Sequence, residues 1–351
     1  MIKLNYILTG CFLLIAVFWS CNRVEESRKP EVKNMILIVG NKTTLAGFEN
    51  NKNFDELSKA TRFLIAADSE TGSHSQQVFP NFSAVAIGKK CTNISVGLDS
   101  AGVAHPNLIE LAAVNGLATG LITSGSVVGP IPASFIAHLN NKNQLESIAL
   151  EYLNSPVDFI SGSGIAFFNE RKDGINLLQQ LDNKGFSVYS DIEKVGKAKK
   201  TAILLNENDG EPQKYILQKS TVLALQLLTV NHAGFFLVID GSDVLPQSYF
   251  SGDTGKKKET DFGHSIETAF DFASQNPGTL IVVTSDYMAS NQINSIQNPE
   301  SVNSAADTTT IYTYGDSAAS LSNISESTGI FEKIVNHLNL DVADGNKLTK
   351  N

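Results

Sequence analysis

The alternation of apolar runs and amphipathic stretches along the chain predicts strands and helices that follow one another. Met35 to Val39 is a continuous apolar run that ends at Gly40, which is the pattern of a strand buried on both faces. The same reading predicts further strands at 118–123, 157–160, 235–239, 279–284 and 311–314, and helices at 108–114, 144–153, 214–230, 265–274 and 329–338. Repeated strand–helix–strand units with apolar strands predict an α/β fold, a three-layer sandwich in which a mostly parallel central sheet has helices on both faces.

The first twenty residues have the pattern of an export signal. Lys3 precedes an apolar stretch from Tyr6 to Trp19, and a small residue, Ser20, stands before Cys21. A basic start, a short apolar core and a small residue at the break describe a cleaved signal rather than a spanning helix. A cysteine directly after the break resembles a lipobox, so we expect Cys21 to be acylated. An ordinary signal peptide cut nearby is the alternative.

This pattern divides the chain into three parts. Residues 1–20 are predicted to be a lipoprotein signal peptide, residues 21–33 a tether, and residues 34–345 the folded domain. We therefore expect a bacterial lipoprotein that is exported and anchored to a membrane through its N-terminal lipid, either in the periplasm or at the cell surface.

Composition restricts the partners further. The chain has 351 residues and a formal net charge of −9. Because a phosphate backbone is bound by a basic face, nucleic acid is not an expected partner. Cys11 lies in the predicted signal and Cys21 would carry the lipid, which leaves Cys91 without a partner for an intramolecular disulfide in the mature protein.

Several segments of the predicted domain follow one another in a characteristic order. They are Val32 to Gly40, Asn115 to Thr123, Pro132 to His138, Tyr152 to Asp158, Phe235 to Gly241, Thr279 to Asp286, and Tyr314-Gly315 with the last predicted helix. One such motif alone is weak, and it is their common order over roughly 300 residues that carries the signal. In this order they resemble the bacterial alkaline phosphatases.

The resemblance implies a defined chemistry. Two zinc ions hold the attacking and leaving oxygens of a phosphoryl transfer, and a nearby magnesium ion supports them. A serine or threonine nucleophile forms a covalent phosphoenzyme, and an arginine holds two phosphate oxygens. The resemblance also implies a phosphomonoester as substrate and a homodimer as the assembly.

The residues that would carry phosphoryl transfer are replaced in this sequence. The nucleophile position falls within residues 77–81, Gln-Val-Phe-Pro-Asn, which contain no hydroxyl, although Ser75 and Ser83 flank them. The phosphate-binding arginine, four residues after His138, falls on Lys142. Lysine keeps the positive charge but loses the planar fork that grips two oxygens.

Most metal ligands implied by the resemblance are replaced as well. The metal-bridging aspartate falls on Asn41, a glutamate ligand on Asp240, and the aspartate of an Asp-His pair on Asp286. The other ligand positions fall on Gly129, Ile131, Leu245, Tyr249, Tyr287 and Ser304. Two carboxylates are too few for a dinuclear zinc site. We expect either no metal or a single divalent cation at Asp240, Asp286 and Asn41, and the alternative is that these residues only cap loops or helices at the sheet edge.

These replacements give three hypotheses on function. The first is a catalytically degenerate pseudophosphatase, which keeps the fold and binds a phosphorylated small molecule or a cell-surface protein. The second is a divergent, metal-dependent hydrolase of phosphomonoesters or sulfate esters with a rearranged site. The third is a structural or scaffold subunit at the cell surface, which would co-purify stably with a partner. The resemblance implies alkaline phosphatase activity, whereas the replaced residues argue for little or none of it.

Overall fold

The structure is a computed structural model of the 351-residue chain. It describes residues 32–41, 45, 60–66, 82–92, 94–206, 216–242, 261–286, 308–315, 317–322 and 324–345. All of these belong to one unit of the chain, residues 32–351. The predicted signal peptide and the tether up to Glu31, including Cys21, lie outside the described residues.

The described residues form a sheet of nine strands. In chain order these are β1 (Asn34–Asn41), β2 (Thr61–Ala66), β3 (Ala118–Ser126), β4 (Phe159–Ser163), β5 (Phe186–Tyr189), β6 (Lys200–Leu205), β7 (Phe235–Asp240), β8 (Thr279–Asp286) and β9 (Thr308–Tyr314). Their order across the sheet is β2-β9-β8-β1-β7-β3-β4-β6-β5. Among these strands β9 pairs antiparallel with both of its neighbours, and the other pairs are parallel.

Strand β1 lies inside the sheet, between β8 and β7. Its residues Met35 to Val39 are completely buried. Met35, Leu37 and Val39 pack into the core on one face of the sheet, and Ile36 and Ile38 pack into the core on the other face. Since successive side chains of a strand point to opposite faces, a strand between two cores needs apolar residues at every position. The prediction of a doubly buried strand is confirmed.

Helices cover both faces of the sheet. In chain order they are α1 (Phe82–Ile87), α2 (Leu108–Val114), α3 (Pro130–Ser134), α4 (Leu145–Glu151), α5 (Ala166–Asn169), α6 (Leu177–Asn183), α7 (Ile216–Leu228), α8 (Asp261–Gln275), α9 (Ser327–His337) and α10 (Val342–Gly345). Buried residues of α7 and α8 belong to one core, and buried residues of α1 to α6 and α9 belong to the other. The three-layer α/β sandwich is therefore confirmed.

Helix α2 shows how the local sequence sets the bounds of an element. The Asn107 side chain accepts a hydrogen bond from the Glu110 N–H, and the Glu110 side chain accepts one from the Asn107 N–H. This reciprocal capping satisfies two amide groups that the first turn of a helix leaves free. At the other end Gly116 has a φ of +84°, a conformation that glycine adopts without strain, and the chain turns there into β3.

The prediction of the elements needs correction. The patterns did not predict β2, β5, β6, α1, α3, α5, α6 or α10. His138 lies after α3 and precedes Leu139, which forms an isolated antiparallel bridge with Val96.

No helix within the described residues has both the length and the apolar character needed to span a bilayer.

Candidate functional site

The three predicted metal-ligand remnants lie at the carboxyl ends of neighbouring strands. Asn41 ends β1 and is paired with Asp286, which ends β8. Asp240 ends β7 and is paired with Val39 of β1. Because paired strands lie about 4.8 Å apart, these backbone positions share one short stretch of the sheet edge. In parallel α/β sheets this edge is where ligands are bound.

Asp240 is buried and is held by neighbouring hydroxyl groups. Its side chain is almost inaccessible, with the whole residue 3% exposed. The Thr123 hydroxyl, at the same level of the adjacent strand β3, donates to Oδ2 over 2.9 Å. The Ser242 hydroxyl and backbone N–H donate to Oδ1 over 2.6 and 3.0 Å. Both carboxylate oxygens therefore accept protein hydrogen bonds at the position where the resemblance places a metal ligand.

The hydroxyl of Thr123 is itself held in place. It accepts a hydrogen bond from the Gly125 N–H over 3.1 Å while it donates to Asp240. Sequence reasoning missed both Thr123 and Ser242. The spacing Asp240-x-Ser242 is typical of a local turn in which a carboxylate accepts a hydrogen bond from the N–H two residues further on. The contact between Ser242 and Asp240 could therefore have been predicted from the sequence.

Phe262, in the first turn of α8, packs against the ends of β1 and β7 on the face of the sheet that carries Ile36 and Ile38. A Cβ atom on Gly40 or on Gly241 would lie 2.5 or 2.1 Å from a carbon of its ring. Only glycine allows this close approach, since real Cβ contacts are not that short. The aromatic ring thus closes the edge of the sheet directly beside β1 and β7.

The two positions that the resemblance assigns to magnesium carry no ligand atoms in their side chains. Gly129 precedes helix α3 as its N-cap residue and has no side chain to cap it. Ile131, in the first turn, is 6% exposed and belongs to the apolar core. A buried aliphatic side chain therefore occupies one of the two positions.

Lys142 lies in a turn that is tied to the loop beginning at Ile94. Its backbone N–H donates to the Ile94 carbonyl over 2.8 Å, next to the Val96–Leu139 bridge. Its side chain is half-buried and forms no ion pair with any described residue. Lys142 keeps a free cation at the position that the resemblance gives to the phosphate-binding arginine.

His138 fixes this turn from the inside. Its Nδ1 lies 2.9 Å from the Gly97 carbonyl oxygen, and its Nε2 lies 3.1 Å from both carboxylate oxygens of Glu110. The Gly97 carbonyl and an ionised Glu110 both accept hydrogen bonds, so this geometry favours the imidazolium form, in which both ring nitrogens donate. Glu110 was not among the predicted residues, although the Asn107-x-x-Glu110 capping spacing marks it in the sequence.

The surroundings of His138 raise its pKa. Burial by itself lowers the pKa of the ring, because it disfavours the charged form. The hydrogen bond and negative charge of Glu110, the Gly97 carbonyl and the charge of Glu151 outweigh that effect, so the net pKa of His138 is raised. The ring is therefore a structural cation that joins α2 to the turn carrying Lys142.

Ser83, which flanks the predicted nucleophile window, is part of a helix contact. It is 3% exposed, and its Oγ lies 3.1 Å from the Oγ of Ser134. Since the Ser134 hydroxyl donates to the Pro130 carbonyl over 2.9 Å, Ser83 is the donor of the pair. Its proton links α1 to α3, and this burial does not fit a nucleophile that meets a substrate.

Several predicted positions lie outside the described residues. They are Ser75, the nucleophile window 77–81, Leu245, Tyr249, Tyr287 and Ser304. Their assignments remain predictions.

The described donor set does not fit the zinc and magnesium sites that the resemblance implies. Within the described residues no group of three or more His, Cys, Asp and Glu side chains is close enough to hold a metal ion. Dinuclear zinc sites need several such ligands for each ion. Ile131 belongs to the apolar core and offers no ligand atom, and Oδ1 of Asp240 already accepts two hydrogen bonds from Ser242.

Comparison with known proteins agrees with the fold and with the order of the motifs. The sequence profile described as alkaline phosphatase matches residues 33–327. Alkaline phosphatase 4 of Bacillus subtilis is 26% identical over 287 residues, which cover 74% of this chain and 62% of that protein. Alkaline phosphatase 3 of the same organism is 26% identical, with 76% of this chain and 63% of that protein covered. The chain thus spans a little over three fifths of the length of these relatives.

Solved structures show the same architecture. Alkaline phosphatase from the Antarctic bacterium TAB5 superposes with a TM-score of 0.69 at 22% identity and covers 90% of this chain and 100% of its own. The Thermus thermophilus alkaline phosphatase gives a TM-score of 0.63 at 15% identity, with 93% and 98% covered. A structure of a TAB5 variant carries magnesium in its M3 site, which is a property of that protein.

These likenesses identify the three-layer sandwich as the fold of the alkaline phosphatases. Since the profile matches most of the sequence, the chain belongs to the alkaline phosphatase family.

Proposed function

We propose that this family member is a pseudophosphatase, which keeps the fold and binds a ligand at the carboxyl edge of the sheet without hydrolysing it. The ligand is a phosphorylated small molecule or a phosphate-bearing group of a cell-surface protein, and Lys142 supplies the cation that attracts it. We further propose that the protein is exported and anchored to a membrane through a lipid on Cys21.

The single observation that carries the proposal is the state of Asp240. Its two oxygens accept hydrogen bonds from Thr123 and Ser242 in a buried setting. Such donors stabilise a buried carboxylate, because a buried charge without hydrogen bonds is costly. Oδ1 of Asp240 already accepts two of these bonds, and the described residues offer no group of three or more His, Cys, Asp and Glu side chains that would complete a zinc site.

The test is a phosphatase assay with metal analysis on the same sample. The full chain, incubated with zinc and magnesium, is assayed with a chromogenic phosphomonoester beside Escherichia coli alkaline phosphatase as positive control. We expect no turnover above the blank and no stoichiometric zinc. Zinc-dependent turnover that chelation abolishes, and that Asp240→Asn also abolishes, would falsify the proposal.

The second candidate is a divergent hydrolase that uses one divalent cation. It is supported by the register that places Asn41, Asp286 and Asp240 on three neighbouring strands. Carboxylate and amide oxygens are the ligands that magnesium and calcium prefer. One equivalent of such a cation in the purified protein, lost in Asp240→Asn, would favour this candidate, and turnover of a phosphate or sulfate ester would establish it.

A further inference from the structure

Three exposed valines lie where the helices end at the amino edge of the sheet. Val114 ends α2, Val230 follows α7, and Val342 begins α10, and they are 39%, 73% and 40% exposed. We call these three residues the amino-edge patch. A single exposed valine is ordinary on a protein surface, so the argument depends on their being neighbours.

Hydrogen bonds join the three segments that carry these valines. The Asp341 N–H, next to Val342, donates to the side chain of Asn115, next to Val114, over 2.8 Å. The Asn231 side chain, next to Val230, donates to the Gly116 carbonyl over 2.8 Å. The turn at 115–116 therefore contacts both other segments, so the three valines lie on neighbouring segments of one edge.

The chain enters the folded unit directly beside this patch. Lys33 precedes β1, and its carbonyl oxygen would lie 2.0 Å from a Cβ atom on Gly234, which closes the turn that begins at Asn231. The turn that carries Val230 and the point where the tether meets the domain are thus in contact. Eleven residues, 22–32, separate Lys33 from Cys21, and they span at most about 40 Å when fully extended.

The balance of positive and negative charges at the amino edge differs from that of the whole chain. Three exposed cations precede strands β1, β5 and β6, namely Lys33, Lys184 and Lys199. Two exposed anions, Asp182 and Asp341, lie at the same edge. Lys200 is 3.8 Å from Asp158 and offsets it. For a chain with a net charge of −9, this is an edge where cations are at least as frequent as anions, so repulsion from an anionic membrane surface is weak here.

We infer that the amino-edge patch is a lipid-contacting surface, which rests on the bilayer when the protein is tethered through Cys21. Apolar side chains with flanking cations are the composition that enters the headgroup region, and the short tether keeps this edge within reach of the bilayer. The inference rests on the lipid anchor of the proposed function. Its consequence is that the opposite, carboxyl edge, with Asp240, faces away from the membrane and towards ligands in the surrounding compartment.

The experiment measures the depth of single sites on the membrane-bound protein. The full chain with acylated Cys21 is bound to vesicles of phosphatidylethanolamine and phosphatidylglycerol, and Val230→Cys carries an environment-sensitive fluorophore. Ile94→Cys is the matched control, since Ile94 is 67% exposed and contacts the Lys142 turn, and the native Cys91 is buried. Lipids with brominated acyl chains should quench the label at residue 230 and leave the label at residue 94 unchanged.

Co-flotation with the vesicles separates the patch from the anchor. If the chain floats but the two labels are quenched equally or not at all, the patch is not a lipid surface although the anchor stands. If the label at residue 230 is unquenched and the unlabelled Val230→Cys variant forms disulfides between copies on the vesicle under an added oxidant, the patch belongs to a second copy of the chain and the inference is wrong. The Cys21→Ser variant should not float. If the chain with native Cys21 does not float either, both the anchor and the inference fail.

Discussion

At the scale of single residues, the site is defined by how Asp240 is satisfied. Both of its oxygens accept hydrogen bonds, Oδ2 from Thr123 and Oδ1 from Ser242. Hydrogen bonds to a charged group are worth more than those between neutral groups. The network therefore stabilises the fold at the position where the family resemblance places catalysis.

This reading predicts a stability cost for Thr123→Val. The substitution keeps the shape of the side chain and removes the donor to a buried carboxylate, so we expect a loss of about 1.5–3 kcal/mol in the free energy of unfolding. Urea denaturation at neutral pH measures it. Thr284→Val is the matched control, because Thr284 lies in the same row of residues on β8 and its buried hydroxyl has no hydrogen-bond partner in the described structure.

The control should be neutral or slightly stabilising, since burying a hydroxyl without a partner costs free energy. Equal losses in both variants would mean that the Thr123 hydrogen bond contributes nothing, and the account of Asp240 would have to be abandoned.

His138 gives a residue-level prediction with a pH dependence. Its pKa is raised in the folded state by Glu110, Gly97 and Glu151 against the opposing effect of burial. A raised folded pKa means that the stabilisation is fully present below the ordinary value of about 6.5 and is lost as the pH rises through the folded pKa. His138→Gln should therefore destabilise the protein most near pH 6 and much less near pH 9.

Chemical denaturation over this pH range tests the point. His232→Gln is the control, because His232 is exposed and should give the same stability as the wild type at every pH. Burial also raises the pKa of Glu151 and of Asp158, and both carboxyl groups are present in the variant as in the wild type, so the comparison is made between the two chains at each pH. A constant difference between His138→Gln and wild type across the range would show that the ring acts only by packing.

At the scale of elements, the sequence predicted what local patterns determine. The bounds of α2 follow from its capping residues and the glycine after it, and β1 from its uninterrupted apolar run. Strand β5 was missed because it is a short edge strand that buries mainly Phe186. Strand β6 was missed although its five buried residues from Thr201 on form a readable apolar run, so that omission was avoidable.

The contacts of the site depend on register, which a single sequence does not specify. Thr123 contacts Asp240 because the parallel pairing of β3 with β7 starts with Ala118 opposite Phe235. Five residues further along both strands, this register places Thr123 opposite Asp240. A shift by one residue would turn Thr123 to the opposite face. The sequence identified Asp240 as a remnant metal-ligand position. It did not predict that the hydroxyl groups of Thr123 and Ser242 would donate hydrogen bonds to this carboxylate.

At the scale of the whole molecule, the proposal separates the scaffold from the ligand set. The fold agrees with that of the family, and the likeness to the TAB5 enzyme extends over 90% of the chain. Among the metal positions in the described residues, Asn41, Asp240 and Asp286 end strands, and Gly129 and Ile131 lie at the start of helix α3. On the proposed function the family fold persists without its metal ligands, which is physically possible because packing and catalysis depend on different residues.

This separation predicts how the stability of the whole molecule responds to metal. An ion that binds only the native state raises the free energy of unfolding by about 2.7 kcal/mol at a concentration 100 times its Kd. We expect neither zinc nor a chelator to change the unfolding midpoint of the wild-type chain. A variant with the family ligands restored, Asn41→Asp with Leu245→Asp, Tyr249→His and Tyr287→His, should gain a zinc-dependent rise if the scaffold still orients these positions. The same rise in the wild type, lost on chelation, would show that a functional cation site has survived and would favour the divergent hydrolase over the pseudophosphatase.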